Sequence, residues 1–114
     1  MKKYLLDTHA LIWAIAYDSK LSEPVLKILH DDDSLLFVST VSLWEMAIKH
    51  GNGKMNWENL QIYEIPYYCE LLRIDIIPLM PQDAINYSSL PFYGNHKDPF
   101  DRMLINQCIS GNYT

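Results

Sequence analysis

Short unbroken apolar runs punctuate the chain. KYLL (residues 3–6), SLLFVS (34–39) and DIIPL (75–79) lie between longer segments whose apolar residues recur at helical spacing. Runs this short and this apolar read as strands buried on both faces. THALIWAIA, residues 8–16, is apolar almost all round and predicts a well-buried helix. SEPVLKILHD carries Ser22 as a cap, with Pro24 just inside the helix start. TVSLWEMAIKHG predicts a helix from near Thr40 to Gly51, where glycine offers a left-handed stop. YEIPYYCELLRI reads as helical past Pro66, and PQDAINYSSL as a helix with Pro81 near its start. PFDRMLINQCIS is an amphipathic helix ending at Gly111, while GNGKMNWENL and PFYGNHK are connections. No repeat or low-complexity tract interrupts this order. Alternating strands and helices predict an α/β fold, a Rossmann-like parallel sheet covered by helices. Ligands of such sheets bind beyond the carboxyl ends of the strands, and Asp7 ends the first strand.

Composition narrows this picture. With 114 residues, 49% of them hydrophobic and 20% charged, one domain with an adequate core is expected. The two cysteines, Cys69 and Cys108, sit in apolar segments and read as buried thiols in a reducing compartment. Lys2 and Lys3 precede an apolar run, but Asp7 and His9 break it, which argues against a signal peptide. No stretch reaches the roughly 18 apolar residues of a membrane span, so the expectation is a cytoplasmic protein with no membrane partner. A net charge of −5 disfavours nucleic-acid binding through bulk electrostatics. It favours cations, or a basic protein partner.

The acids carry the candidate chemistry, and each has a plain structural reading. Asp7 suits an N-cap, although Thr8 could cap equally well and free it. Glu45 can pair with Lys49 at i+4, a contribution of a few tenths of a kcal/mol when exposed. Its apolar neighbours Leu43, Trp44, Ala47 and Ile48 place it near the core side, where an acid is costly unless a cation meets it. Asp98 before Pro99 fits an N-cap with proline at N1, and Asp101 then suits the helix dipole. Asp98 could also pair with Arg102. Taken together, these acids end a strand, sit within one helix and open another. Parallel topology can bring them to one crevice, where their repulsion calls for a hard divalent cation. Mg²⁺ or Mn²⁺ held by carboxylates and water is the usual arrangement for phosphodiester cleavage.

Three stretches, LLDTHALIW, VSLWEMAIKHGNGK and HKDPFDRMLINQ, resemble the PIN-domain family in order and spacing, especially its VapC-type ribonuclease toxins. The resemblance implies a metal-dependent endoribonuclease, its toxicity blocked by a cognate antitoxin. It carries the family's first acid to Asp7, the second to Glu45 and the third to Asp101, with Asp98 as close support. Thr8 matches the small hydroxyl residue beside the first acid, and Ser39 or Thr40 is expected to orient Glu45. The resemblance also implies strand order 3-2-1-4-5 and a further acid after the last helix, where this chain has only NYT. The C-terminal strands are therefore expected to be missing and the outer edge of KYLL bare, inviting association into a homo-oligomer.

An RNA substrate needs cations, and Lys49, Lys54, Lys97 and Arg102, with His50 and His96, flank the acids. Trp44 and Trp57 read as packing, His9 as a core histidine, and Met80, Tyr87 and Phe92 as core or groove lining. The competing reading is a degenerate, non-catalytic PIN scaffold that binds a protein partner. A third, another metal phosphohydrolase, lacks a DxDxT motif.

Overall fold

The computed structural model describes residues 2–16, 18–51, 53, 61–89 and 98–114. Three strands, β1 (Lys3–Leu6), β2 (Leu35–Ser39) and β3 (Ile74–Ile77), form an open sheet of order β1-β2-β3. Both pairings are parallel, with Leu5 opposite Phe37 and Phe37 opposite Asp75. Six α-helices accompany them among the described residues: α1 (Thr8–Ala16), α2 (Glu23–His30), α3 (Thr40–Gly51), α4 (Ile65–Leu71), α5 (Pro81–Asn86) and α6 (Pro99–Ser110). The α/β reading therefore holds. The chain segments GNGKMNWENL and PFYGNHK fall largely outside the described residues. Among the described residues, no helix is long and apolar enough to cross a membrane.

Strand alternation divides the sheet. Tyr4, Leu6, Leu36, Val38 and Ile74 point to one face and pack with Leu11, Ile12, Met46, Ile65 and Cys69 from α1, α3 and α4. On the other face Leu5, Phe37 and Ile77 are half-buried, and Leu35 and Asp75 are exposed. Because one face carries the main core, the strands are less buried than runs covered on both sides would be. A second cluster, Val41, Met103 and Leu104, joins α3 to α6 beyond the carboxyl ends of the strands.

Helix ends follow local chemistry, with two shifts from expectation. Ser22 caps α2 by accepting the Val25 N–H at 3.4 Å, as its position implied. Gly51 remains helical, and the left-handed residue is Gly53 at φ 78°. At the end of α6, Gly111 has an ordinary φ of −93° and Asn112 takes φ 58°. Asparagine tolerates that region because its short amide can bond locally. The Asn112 and Tyr113 N–H groups donate to the Ile109 and Cys108 carbonyls, at 3.3 and 2.9 Å, a Schellman closure. Gly111 is needed for a different reason: a Cβ there would stand 2.2 Å from the Tyr113 ring.

That closure turns the last residues back to the sheet. The Thr114 N–H donates to the Lys3 carbonyl at 2.8 Å, and the Leu5 N–H donates to the Thr114 carbonyl at 3.2 Å. Lys3 Nζ donates to the Gly111 carbonyl at 2.9 Å and lies 4.8 Å from the Tyr113 ring, which packs edge-on against Phe37. β1 is the edge strand of the sheet, as expected, but its outer edge is met in part by one residue. Thr114 lies against β1 on the side away from β2, bonded as a parallel neighbour would be. Cys69 and Cys108 are free thiols, and burial pushes both of their pKa values up.

Candidate active site

Asp7 follows the last residue of β1 and opens α1. Its Oδ1 accepts the Ala10 N–H at 2.7 Å and its carbonyl accepts the Leu11 N–H at 3.1 Å, so Asp7 is the cap. The alternative that Thr8 would cap in its place is corrected. Thr8 is 3% exposed and donates its hydroxyl to Glu45 Oε1 at 2.6 Å. A carboxylate has about four acceptor sites on two oxygens, so capping through Oδ1 does not use up Asp7.

Glu45 lies on the inner side of α3 and is 4% exposed. A charge so buried is costly unless satisfied. Thr8 meets one oxygen, and the Lys49 ammonium meets the other at 2.5 Å. Ser39 and Thr40, expected to orient Glu45, bond elsewhere. Ser39 Oγ accepts the Val41 N–H at 3.0 Å, and Thr40 Oγ1 accepts the Leu79 N–H at 3.1 Å. Both hydroxyls are engaged by backbone donors, one where β2 passes into α3 and one just beyond the end of β3. The hydroxyl that positions Glu45 comes from α1.

Asp98 and Asp101 are exposed at the start of α6. Asp98 Oδ1 accepts the Phe100 and Asp101 N–H groups at 2.7 and 3.4 Å, the cap that its place before Pro99 implied. The four acids, Asp7, Glu45, Asp98 and Asp101, nevertheless border one cavity of about 400 Å³, together with His9, Lys49, Leu104 and Ile105. The pKa of Lys49 is raised above its ordinary 10.5, first by its hydrogen bond to Glu45 and further by the charges of Glu45, Asp98 and Asp101. Desolvation works against that rise and is outweighed. The field of three acids thus converges on one ammonium.

Among the described residues, no three His, Cys, Asp or Glu side chains are set close enough to hold an ion as they stand. The donor chemistry still fits a hard divalent cation. All four acids supply oxygen, they share a cavity, and the buried Glu45 already requires positive charge, which Lys49 provides.

The remaining candidates divide. His50 is half-buried on α3, while Lys54, Trp57, Phe92, His96 and Lys97 lie outside the described residues. Arg102, read as an RNA contact, is corrected: it is 8% exposed, its Nη1 donates to the Tyr87 hydroxyl at 3.3 Å, and it lies 4.7 Å from that ring. It follows Asp101 by one position, and the helical rotation carries it to the inner face. Pairing of its guanidinium with Tyr87 replaces the suggested bond to Asp98. Trp44, read as packing, is 60% exposed, with its ring centroid 5.2 Å from that of Phe100 and the planes at 76°. Met80 is exposed and Tyr87 half-buried against the second cluster.

His9, read as a core residue, is exposed, because α1 turns Leu11 and Ile12 inward and His9 outward. A second cavity of about 690 Å³ shares Asp7 and His9 with the first and continues over Trp13, Lys20 and Ser22. Sequence reasoning missed it. The available signal was the i,i+4 spacing of His9 and Trp13, which places both rings on one side of α1.

Neither the curated proteins nor the solved structures produced a match to this chain. The family model described as PIN domain matches residues 4–114. PIN domains are generally metal-dependent nucleases that act on RNA, with parallel α/β folds like the one seen here. A match across nearly the whole length, on a fold whose carboxylates gather beyond its strand ends, means that the chain belongs to the PIN domain family.

Proposed function

We propose that this protein is a Mg²⁺- or Mn²⁺-dependent endoribonuclease of the VapC type. In this reading it is the toxin of a toxin–antitoxin pair, a cytoplasmic homo-oligomer restrained by a cognate antitoxin. The observation that carries the reading is the placement of Asp7, Glu45, Asp98 and Asp101 around one cavity beyond the strand ends.

Asp7, Glu45 and Asp101 would hold the ion, with Asp98 at the rim. When bound, a divalent ion there supplies Lewis acidity toward a phosphate oxygen and lowers the pKa of a nearby water. Thr8 fixes Glu45 by donating to Oε1, so that the carboxylate keeps one orientation. Lys49 neutralises Glu45 and adds positive charge where a phosphate would enter an otherwise acidic cavity. The alternative, a non-catalytic protein-binding scaffold, draws on the same ion pair, since Lys49 already supplies the cation that Glu45 requires.

Asp7→Asn and Asp101→Asn test the choice on a labelled single-stranded RNA, with and without chelator. Each is expected to lose cleavage and divalent-ion binding, read by titration calorimetry. Asparagine also caps helices, so Asp7→Asn should keep its melting temperature within a few degrees. Cleavage unchanged by either substitution, or no ion bound by the parent chain, would favour the scaffold. Growth arrest on expression in bacteria, absent with Asp101→Asn, tests the toxin role.

A further inference from the structure

The cavity beside the acids has a different chemistry from the acid cavity itself. It begins at Asp7 and His9, which border both, and extends over Trp13, Lys20 and Ser22. His9 is exposed, and its ring centroid lies 5.9 Å from that of Trp13, with planes tilted by 54°. Trp13 is half-buried and packs against the main core, so the ring beside the imidazole is held in place. Lys20 ends a short 3-10 turn (Asp18–Lys20) on the far side. An aromatic platform with a lysine beyond it is the combination that single-stranded nucleic acid requires. A base stacks on a ring face, and the neighbouring phosphate meets a cation.

Resting on the nuclease reading above, we infer that this second cavity is a nucleotide subsite. The base next to the cleaved phosphate stacks on His9, and Lys20 contacts the phosphate beyond it. The shared border at Asp7 and His9 gives the direction of the strand: one phosphate lies over the acids, and the adjoining nucleotide lies along α1 toward Lys20. In an acidic protein this arrangement also explains how a polyanion is held. Affinity comes from stacking, which is insensitive to net charge, with one lysine placed where the strand leaves the acids. Trp13 is a positioning residue in this scheme, because it acts through the His9 ring.

The probe is a fluorescein-labelled single-stranded octauridylate, with an otherwise identical octamer of abasic nucleotides as control. Binding is followed by anisotropy in Ca²⁺, and the oligonucleotide is checked for intact length afterwards. His9→Ala is expected to weaken binding of octauridylate roughly tenfold, the effect of losing one stacked base. His9→Phe should bind within about threefold of the parent, because a ring face is retained. On the abasic octamer, parent and His9→Ala should bind alike. Equal binding of octauridylate by parent and His9→Ala overturns the inference. So does a loss that persists on the abasic octamer, or His9→Phe behaving like His9→Ala. A change in oligomeric state with His9→Ala, seen by light scattering, would instead assign the surface to a second copy of the chain and also overturn it. Failure of the nuclease reading is separate: it shows as unchanged cleavage in Asp7→Asn and Asp101→Asn.

Discussion

Thr8→Val tests whether the hydroxyl from α1 holds the buried acid of α3. Valine keeps the shape of threonine and removes only the donor. The bond is short, 2.6 Å, and joins residues that are 3% and 4% exposed, so water cannot replace it readily. A hydrogen bond to a charged group is worth about 1.5–3 kcal/mol, and a buried acceptor left unmet costs a similar amount. Glu45 keeps Lys49 on its other oxygen, so the loss should stay within that range. With an unfolding entropy of about 2.1 cal/mol/K per residue, the 114-residue chain should melt roughly 6–12 °C lower. Thr8→Ser supplies the control, since it keeps the hydroxyl and loses a methyl worth about 0.8 kcal/mol, or roughly 3–4 °C. Both variants are melted by circular dichroism at neutral pH. A Thr8→Val chain melting within about 2 °C of the parent, or no lower than Thr8→Ser, would show that the contact contributes nothing to stability.

Lys49→Met should destabilise the chain by about 1–3 kcal/mol, between the limits for exposed and buried ion pairs, because Glu45 loses its cation. The Lys49 pKa is raised on folding, so its contribution is fully present below 10.5 and is lost as pH rises through the higher folded value. From neutral pH the melting gap between parent and Lys49→Met should therefore hold to about pH 10 and close above it; a gap that stays open well above about pH 11 would contradict the assignment. Asp98→Ala should cost about 1 kcal/mol by removing the cap of α6, whereas Asp98→Asn should cost only a fraction of that in denaturant melts. Gly111→Ala forces the Tyr113 ring away from its place beside Lys3 and Phe37. A loss of about 1–3 kcal/mol is expected, and unchanged stability would mean that the ring moves freely.

The chain's own pattern determined its class and the punctuation of its elements. KYLL, SLLFVS and the run before Pro78 became parallel strands, because short apolar stretches cannot be satisfied singly in water and pair with one another. Ser22 and Asp98 cap the helices they precede, since a cap is a contact over two or three residues and is legible locally. The three acid-bearing stretches were also legible, as was their gathering beyond the strand ends. Only the tertiary structure decided which partner each side chain meets. Thr8 rather than Ser39 or Thr40 holds Glu45, because that choice depends on how α1 packs on α3, 37 positions along the chain. Arg102 turns inward to Tyr87 and His9 turns outward, and a one-residue rotation on a helix separates those outcomes. The turn that lays Thr114 against β1 depends on a left-handed Asn112 and on the space Gly111 leaves for Tyr113. Burial, rotation and long-range register are properties of the packed whole, and no local window of residues contains them.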